Sequence, residues 1–181
     1  MFSTVLRHSF ALAQTAPVVF IQYLVGLAIV DGIRTYEPAY RRMPVKLKWP
    51  NDIYALRQAS SAGADKDEGI GKGQEEKKYV KIGGILVNST YMGGDYTLVI
   101  GVGLNVANEA PTTSLNALAG MAAPASPLPP FQSEKLLARI LACFQALYGE
   151  FCRHGWSREL EGKYYDYWLH GYVRLSFNLS T

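Results

Sequence analysis

Hydrophobic positions along this chain change period several times, and each change marks an element. Residues 2–7 alternate in character, which predicts a strand. Pro17 stands where a helix's first turn tolerates it. Val18 to Tyr36 is apolar almost all round, so the expected helix is buried on most faces and stops before Pro38. Val45, Leu47 and Trp49 alternate with Lys46 and Lys48 as a strand does. Pro50, having no N–H for a ladder, ends or bends that strand, and Ile53 to Leu56 resumes it. Val80 to Tyr91 and Tyr96 to Val106 are rich in strand-forming residues and flank Met92-Gly93-Gly94-Asp95, the pattern of an antiparallel hairpin. A loop is expected over 108–130. Leu136, Leu137, Ile140, Leu141, Phe144, Leu147, Tyr148 and Phe151 then recur at helical spacing, with Ser133-Glu134 as the start and Gly155 as the stop. A shorter aromatic helix over 158–170 precedes a strand-like tail from Tyr172.

One stretch has no such pattern. Arg57 to Tyr79 is Ser, Gly, Asp, Glu and Lys with hardly an apolar residue, so nothing there offsets the entropy of ordering, and a mobile insertion is expected over 57–79. Strands flanked by helices, with a hairpin among them, make the fold class α+β, with a mixed or antiparallel sheet.

Composition narrows the function. At 181 residues and 49% hydrophobic, the chain can bury one sizeable core. Its net charge of +3 comes from scattered basic residues, which argues against nucleic-acid and membrane partners and for small anionic ligands. The apolar run from Val18 to Val30 is too short to span a bilayer, contains Gln22 and ends at Asp31. No signal-peptide pattern is present. Cys143 and Cys152 fall about two and a half turns apart on one expected helix, out of disulfide range, and free thiols point to a reducing, cytoplasmic setting.

Three short motifs carry candidate chemistry. Lys81 enters a strand beside Gly83 and Gly84. A buried lysine needs an anion to meet it, and the glycines leave room for a ligand to touch backbone; equally, Lys81 can simply end the solvated loop after Lys77-Lys78. In Trp49-Pro50-Asn51-Asp52 the asparagine offers donor and acceptor, and the aspartate can hold Mg2+ or orient an amine, although a plain turn after a strand reads the same way. Gly101-Val102-Gly103-Leu104-Asn105 lacks the third glycine and following helix of a dinucleotide fingerprint. Asp65, Asp67 and Glu76 have calcium-loop spacing but Ile70 stands where that loop requires glycine, and His8, His154 and His170 lack metal-ligand spacing.

Taken in order, Lys48-Trp49-Pro50-Asn51-Asp52, Lys81-Ile82-Gly83-Gly84-Ile85-Leu86-Val87 and Val99-Ile100-Gly101-Val102-Gly103-Leu104-Asn105 resemble the catalytic core of the biotin protein ligases, or holocarboxylase synthetases. The resemblance covers roughly Phe2 to His170. It implies a fold like that of class II tRNA synthetases and lipoate ligases. It also implies activation of biotin with MgATP to biotinyl-5′-AMP, then transfer to a lysine of a carboxylase's biotin carboxyl carrier domain. By it, Lys81 would contact the biotin carboxylate and α-phosphate, and Asp52 would serve the metal or the incoming amine. Asn51 and Asn105 would lie on the nucleotide side, Gly83 and Gly84 would admit biotin, and Lys48, Trp49, Gly101 and Gly103 would complete the ligand site.

The resemblance also implies that residues 1–171 are the core and 172–181 the start of a further segment. A glycine- and arginine-rich segment expected ahead of the first strand, and a small β-domain expected after the core, have no counterpart in this sequence, which puts catalysis by the chain alone in doubt. Two other readings compete. One is a lipoate or octanoate ligase, not expected to carry Lys-Trp-Pro-Asn-Asp; the other is a non-catalytic fragment binding a carrier domain, or its full-length counterpart, through exposed sheet edges.

Overall fold

The computed structural model describes residues 1–57, 78–108, 113–121 and 128–170. Five strands form one antiparallel sheet: β1 (Phe2–Ser9), β2 (Val45–Lys48), β3 (Asp52–Arg57), β4 (Lys78–Met92) and β5 (Asp95–Leu104), in the order β1-β5-β4-β3-β2. The one parallel contact among the described residues is an isolated bridge between Leu47 and Trp168. The sheet is therefore antiparallel rather than mixed.

The β4–β5 hairpin turns at Gly93 and Gly94, whose φ of 64° and 89° suit a two-residue turn that favours glycine at both positions. Of the expected insertion 57–79, residues 58–77 lie outside the described residues, while Arg57 and Lys78-Tyr79 prolong their strands. The expected tail from Tyr172 also lies outside the described residues.

Helix α1 (Phe10–Ala13) is a single turn capped by Ser9, whose Oγ accepts from the Leu12 amide at 3.2 Å. Helix α2 (Ile21–Arg34) follows a short 3-10 turn at Val18–Phe20 and is buried along most of its length, as its apolar composition requires. It lies between the sheet and α4 (Ser133–His154), where Gly32 lets the α4 backbone approach: a Cβ there would stand 2.6 Å from Ile140 Cγ1. Leu136, Ile140, Leu147 and Phe151 bury the α4 stripe, whereas Leu141, expected on it, is exposed. Gln132, not Ser133, occupies the cap position of α4, without a side-chain cap bond. Gly155 ends the helix at φ 66°.

Two corrections concern the expected loop and the last helix. Inside 108–130 the structure has α3 (Leu115–Met121), started by Ser114, whose Oγ accepts from the Ala117 amide. Its seven residues make fewer than two turns, too short for a helical period to show. Helix α5 (Arg158–Tyr167), capped by Ser157, ends three residues earlier than expected, because Trp168 turns extended and Leu169 donates its amide to Leu47 O at 2.7 Å. Among the described residues no helix is long and apolar enough to cross a membrane.

Helices thus cover one face of the sheet. The other carries the exposed side chains of Val5, Leu86 and Val99.

Candidate functional site

Register decides which side chains reach that open face. Lys48 pairs with Asp52, and Asp52 with Gly84; Lys46 pairs with Tyr54, and Tyr54 with Lys81. Between Ile53 and Tyr54 the ladder slips by one, leaving Ile82 as an extra residue on β4. Because side chains alternate across a strand, that slip puts Lys81 on the same face as Asp52 and Gly84, while Ile82 and Ile53 stay in the core. The bulge is held from outside: the Asn105 amide donates to Ile82 O at 2.8 Å, and Asn105 O accepts from the Leu115 amide at 2.9 Å.

On this face Lys81 Nζ meets Asp52 Oδ1 at 2.6 Å. The pair sits on the rim of a cavity of about 460 Å³ floored by Gly84, Gly101 and Gly103 and bounded on the far side by Ser3 of β1. Glycines leave this floor bare backbone, so a planar or bulky ligand can lie flat against it. The wall by Leu86 and Met1 is apolar. A cation at one rim, an apolar wall and exposed peptide groups suit a ligand with an apolar body and an anionic end.

The turn Trp49-Pro50-Asn51 supports the pair from the other side. The Trp49–Pro50 peptide is cis. Gln22 Nε2 donates to Pro50 O at 2.9 Å, tying the turn to α2. Asn51 brackets Ile85 with two bonds: its Nδ2 donates to Ile85 O at 2.9 Å and its own carbonyl accepts from the Ile85 amide at 2.8 Å.

The structure therefore brings Asn51, Asp52, Lys81, Gly84, Gly101 and Gly103 to one cavity. Gly83, Lys48, Trp49 and Asn105 are placed differently. Gly83 faces the core side, where a Cβ would stand 2.5 Å from Gly103 O; packing, rather than ligand access, accounts for it. Trp49, expected in strand alternation with Val45 and Leu47, lies beyond β2, is 60% exposed, and reaches Tyr23 OH with its Nε1 at 3.4 Å. Lys48 holds its ammonium 5.0 Å above the Tyr54 ring. Asn105 acts through its backbone at the bulge. Lys46 reaches Asp166 O at 2.6 Å, and burial, then the Arg34 guanidinium, pushes its pKa down.

Sequence reasoning missed Ser3 and Leu86 on the cavity wall. Ser3 was not legible, since only the β1–β5 register brings it opposite Gly101.

An open-faced antiparallel sheet backed by helices, with a lysine-aspartate pair above a glycine floor, defines a small-ligand domain of α+β type. A model of the Biotin/lipoate A/B protein ligase family matches residues 1–105, and the chain belongs to that family. Among curated relatives, the biotin–protein ligase of Schizosaccharomyces pombe is 40% identical over 159 residues, covering 86% of this chain and 24% of that protein. The human biotin–protein ligase is 34% identical over 153 residues, covering 83% and 18%. The chain thus spans a quarter or less of the length of these relatives. In fold it is similar to the Aquifex aeolicus biotin protein ligase in complex with biotin and ATP: TM-score 0.58, 19% identity, 93% of this chain and 57% of that one. The Leishmania major biotin protein ligase in complex with biotin gives a TM-score of 0.53 at 15% identity, covering 94% and 62%.

Proposed function

We propose that the chain carries the catalytic core of a biotin–protein ligase, in residues 1–171, and works on biotin and MgATP in two steps. In the first, a biotin carboxylate oxygen attacks the α-phosphorus of ATP, the bond to the β-phosphate oxygen breaks, and pyrophosphate leaves, giving biotinyl-5′-AMP. In the second, the ε-amine of a lysine on a biotin carboxyl carrier domain attacks the acyl carbon and AMP leaves. The observation that carries this reading is the Lys81–Asp52 pair at 2.6 Å on the rim of a glycine-floored cavity.

Each residue has a task that follows from its position. Bringing a carboxylate to a phosphate joins two anions, and a cation fixed in place beforehand lowers that barrier more than any other single group. Lys81 is that cation, and Asp52 holds its ammonium over the cavity. Gly84, Gly101 and Gly103 let the ring system of biotin approach the strands. Asn51 borders the nucleotide, and Asn105, expected beside it, instead holds the β4 bulge through its backbone. Once the adenylate has formed, Asp52 lies where it can accept a hydrogen bond from the incoming lysine amine.

The donor set suits Mg2+ in the manner usual for phosphate-bound magnesium, where one or two carboxylates suffice and phosphate and water oxygens fill the remaining positions. Asp52 would supply that carboxylate, and the ion would neutralise phosphate charge. The free thiols of Cys143 and Cys152 suit a cytoplasmic setting.

The test is transfer of labelled biotin, with MgATP, to a carrier-domain acceptor by the full 181-residue chain beside Lys81→Ala. Transfer that Lys81→Ala loses supports the reading. Transfer unchanged in Lys81→Ala overturns the role of Lys81, and a folded chain that releases no pyrophosphate overturns ligase activity for this chain.

A further inference from the structure

Asp52 has a lysine on either side of it, and only one is its partner. Lys81, from β4, makes the ion pair. Lys48, from β2, stands directly opposite Asp52 in the ladder, where cross-strand neighbours have Cβ atoms only about 4.5–5.5 Å apart. Its ammonium nevertheless rests over the Tyr54 ring, 5.0 Å from the centroid. Tyr54 lies on the same outward face, two residues along β3 from Asp52 and directly opposite Lys81.

An aromatic face holds a cation without neutralising it. Water alone would leave a flexible four-carbon stem to wander. The third lysine of this face, Lys46, is not free for the same use, since its ammonium donates to Asp166 O. Lys48 is thus a cation held across β3 from Lys81, on the same face of the sheet.

We propose that Tyr54 is a positioning residue whose ring sets the Lys48 ammonium so that Lys48 and Lys81 together receive a triphosphate laid across β3. Lys81 meets the α-phosphate and Lys48 the β- and γ-phosphates that leave as pyrophosphate. The inference rests on the ligase reading above. It adds Tyr54 to the site and gives Lys48 a specific task, binding the two phosphates that depart as pyrophosphate when the Pα–O bond breaks.

Steady-state kinetics of pyrophosphate release by the full chain tests it, with ATP and biotin varied separately in wild type, Tyr54→Leu, Tyr54→Phe, Lys48→Met and the Tyr54→Leu/Lys48→Met double variant. Tyr54→Leu should raise KM for ATP about tenfold, the range of a cation held on a ring, with KM for biotin unchanged. Tyr54→Phe should restore the wild-type value, because the ring and not the hydroxyl does the holding. Lys48→Met should match Tyr54→Leu, and the double variant should be no worse than either single one.

An unaltered KM for ATP in Tyr54→Leu, effects of the two substitutions that multiply, or equal rises for ATP and biotin would each overturn the proposal. Should Tyr54→Leu not fold, Lys48→Met alone decides, by raising KM for ATP selectively or leaving it unchanged. A dead Lys81→Ala beside a silent Tyr54→Leu would overturn this proposal and spare the ligase reading. A folded wild type that never releases pyrophosphate would overturn both.

Discussion

Lys81 and Asp52 touch at 2.6 Å because Ile82 bulges out of the β3–β4 ladder. With regular pairing the lysine would fall on the core side of β4, where the strand's neighbours are Ile53 and Ile85. The pair is held in the open, its side chains 54% and 23% exposed, so screening by water leaves it little weight in stability. Lys81→Ala should therefore leave the thermal midpoint close to that of wild type while lowering the rate of pyrophosphate release about a hundred- to a thousand-fold. Thermal denaturation and a pyrophosphate assay on the same preparation check both halves.

Adjacent glycines should fail in different ways. A Cβ at Gly83 would stand 2.5 Å from the Gly103 carbonyl, a backbone atom that cannot yield without moving β5. Gly83→Ala should cost about 1–3 kcal/mol of stability, as overpacking does. At Gly84 the nearest atom to a Cβ is Asp52 Oδ1 at 3.5 Å, ordinary contact, so Gly84→Ala should fold normally and lose biotin affinity by narrowing the cavity. Chemical denaturation separates the first effect, and biotin titration the second.

Much of this was legible in the sequence. The β4–β5 hairpin follows from two strand-forming runs around Gly93-Gly94, and α2 from an apolar run no strand could accommodate. The candidate site was legible as three motifs in order, but their meeting was not. Register is a long-range property, and whether Gly83 or Gly84 faces the cavity turns on one bulge residue that no local pattern marks. Helix α3 was hidden for a different reason: seven residues are too few for a helical period to show. His8 was passed over as an isolated histidine, and only the fold buries it.

That burial makes stability depend on pH. His8 is fully buried, its Nε2 donating to Ala16 O at 2.9 Å and its Nδ1 facing Tyr148 OH at 2.8 Å. With Nε2 committed as donor, the neutral ring accepts the tyrosine proton at Nδ1; burial, and behind it the Cys152 contact, pushes the Tyr148 pKa up. Desolvation lowers the His8 pKa from its ordinary value of 6.5, outweighing the bond to Ala16. The unfolded chain therefore binds a proton more readily than the folded one. The contribution of His8 is fully present above about pH 6.5 and is lost as pH falls towards the folded-state pKa. Urea unfolding from pH 8 to pH 5 should show this decline, and His8→Gln should flatten it.

Asn51 offers the sharpest separation of a structural role from a ligand-binding one. Its side-chain amide donates to Ile85 O at 2.9 Å, while its carbonyl accepts from the Ile85 amide at 2.8 Å, so the residue clamps the turn carrying Asp52 against the strand carrying Gly84. A residue used only to touch nucleotide could be replaced without loss of stability. Here Asn51→Leu removes the only donor to Ile85 O from the turn's side chains, and Asn51→Asp replaces it with an acceptor that repels the same carbonyl. Either should lower stability by about 1–3 kcal/mol, the cost of leaving a partly buried polar group unmet. Because the clamp also fixes where Asp52 stands beneath Lys81, both variants should lose pyrophosphate release even with ATP saturating. Variants that keep the wild-type denaturation midpoint but need more ATP would instead mark Asn51 as a nucleotide contact alone. Denaturation curves and ATP titrations of the two variants decide between these outcomes.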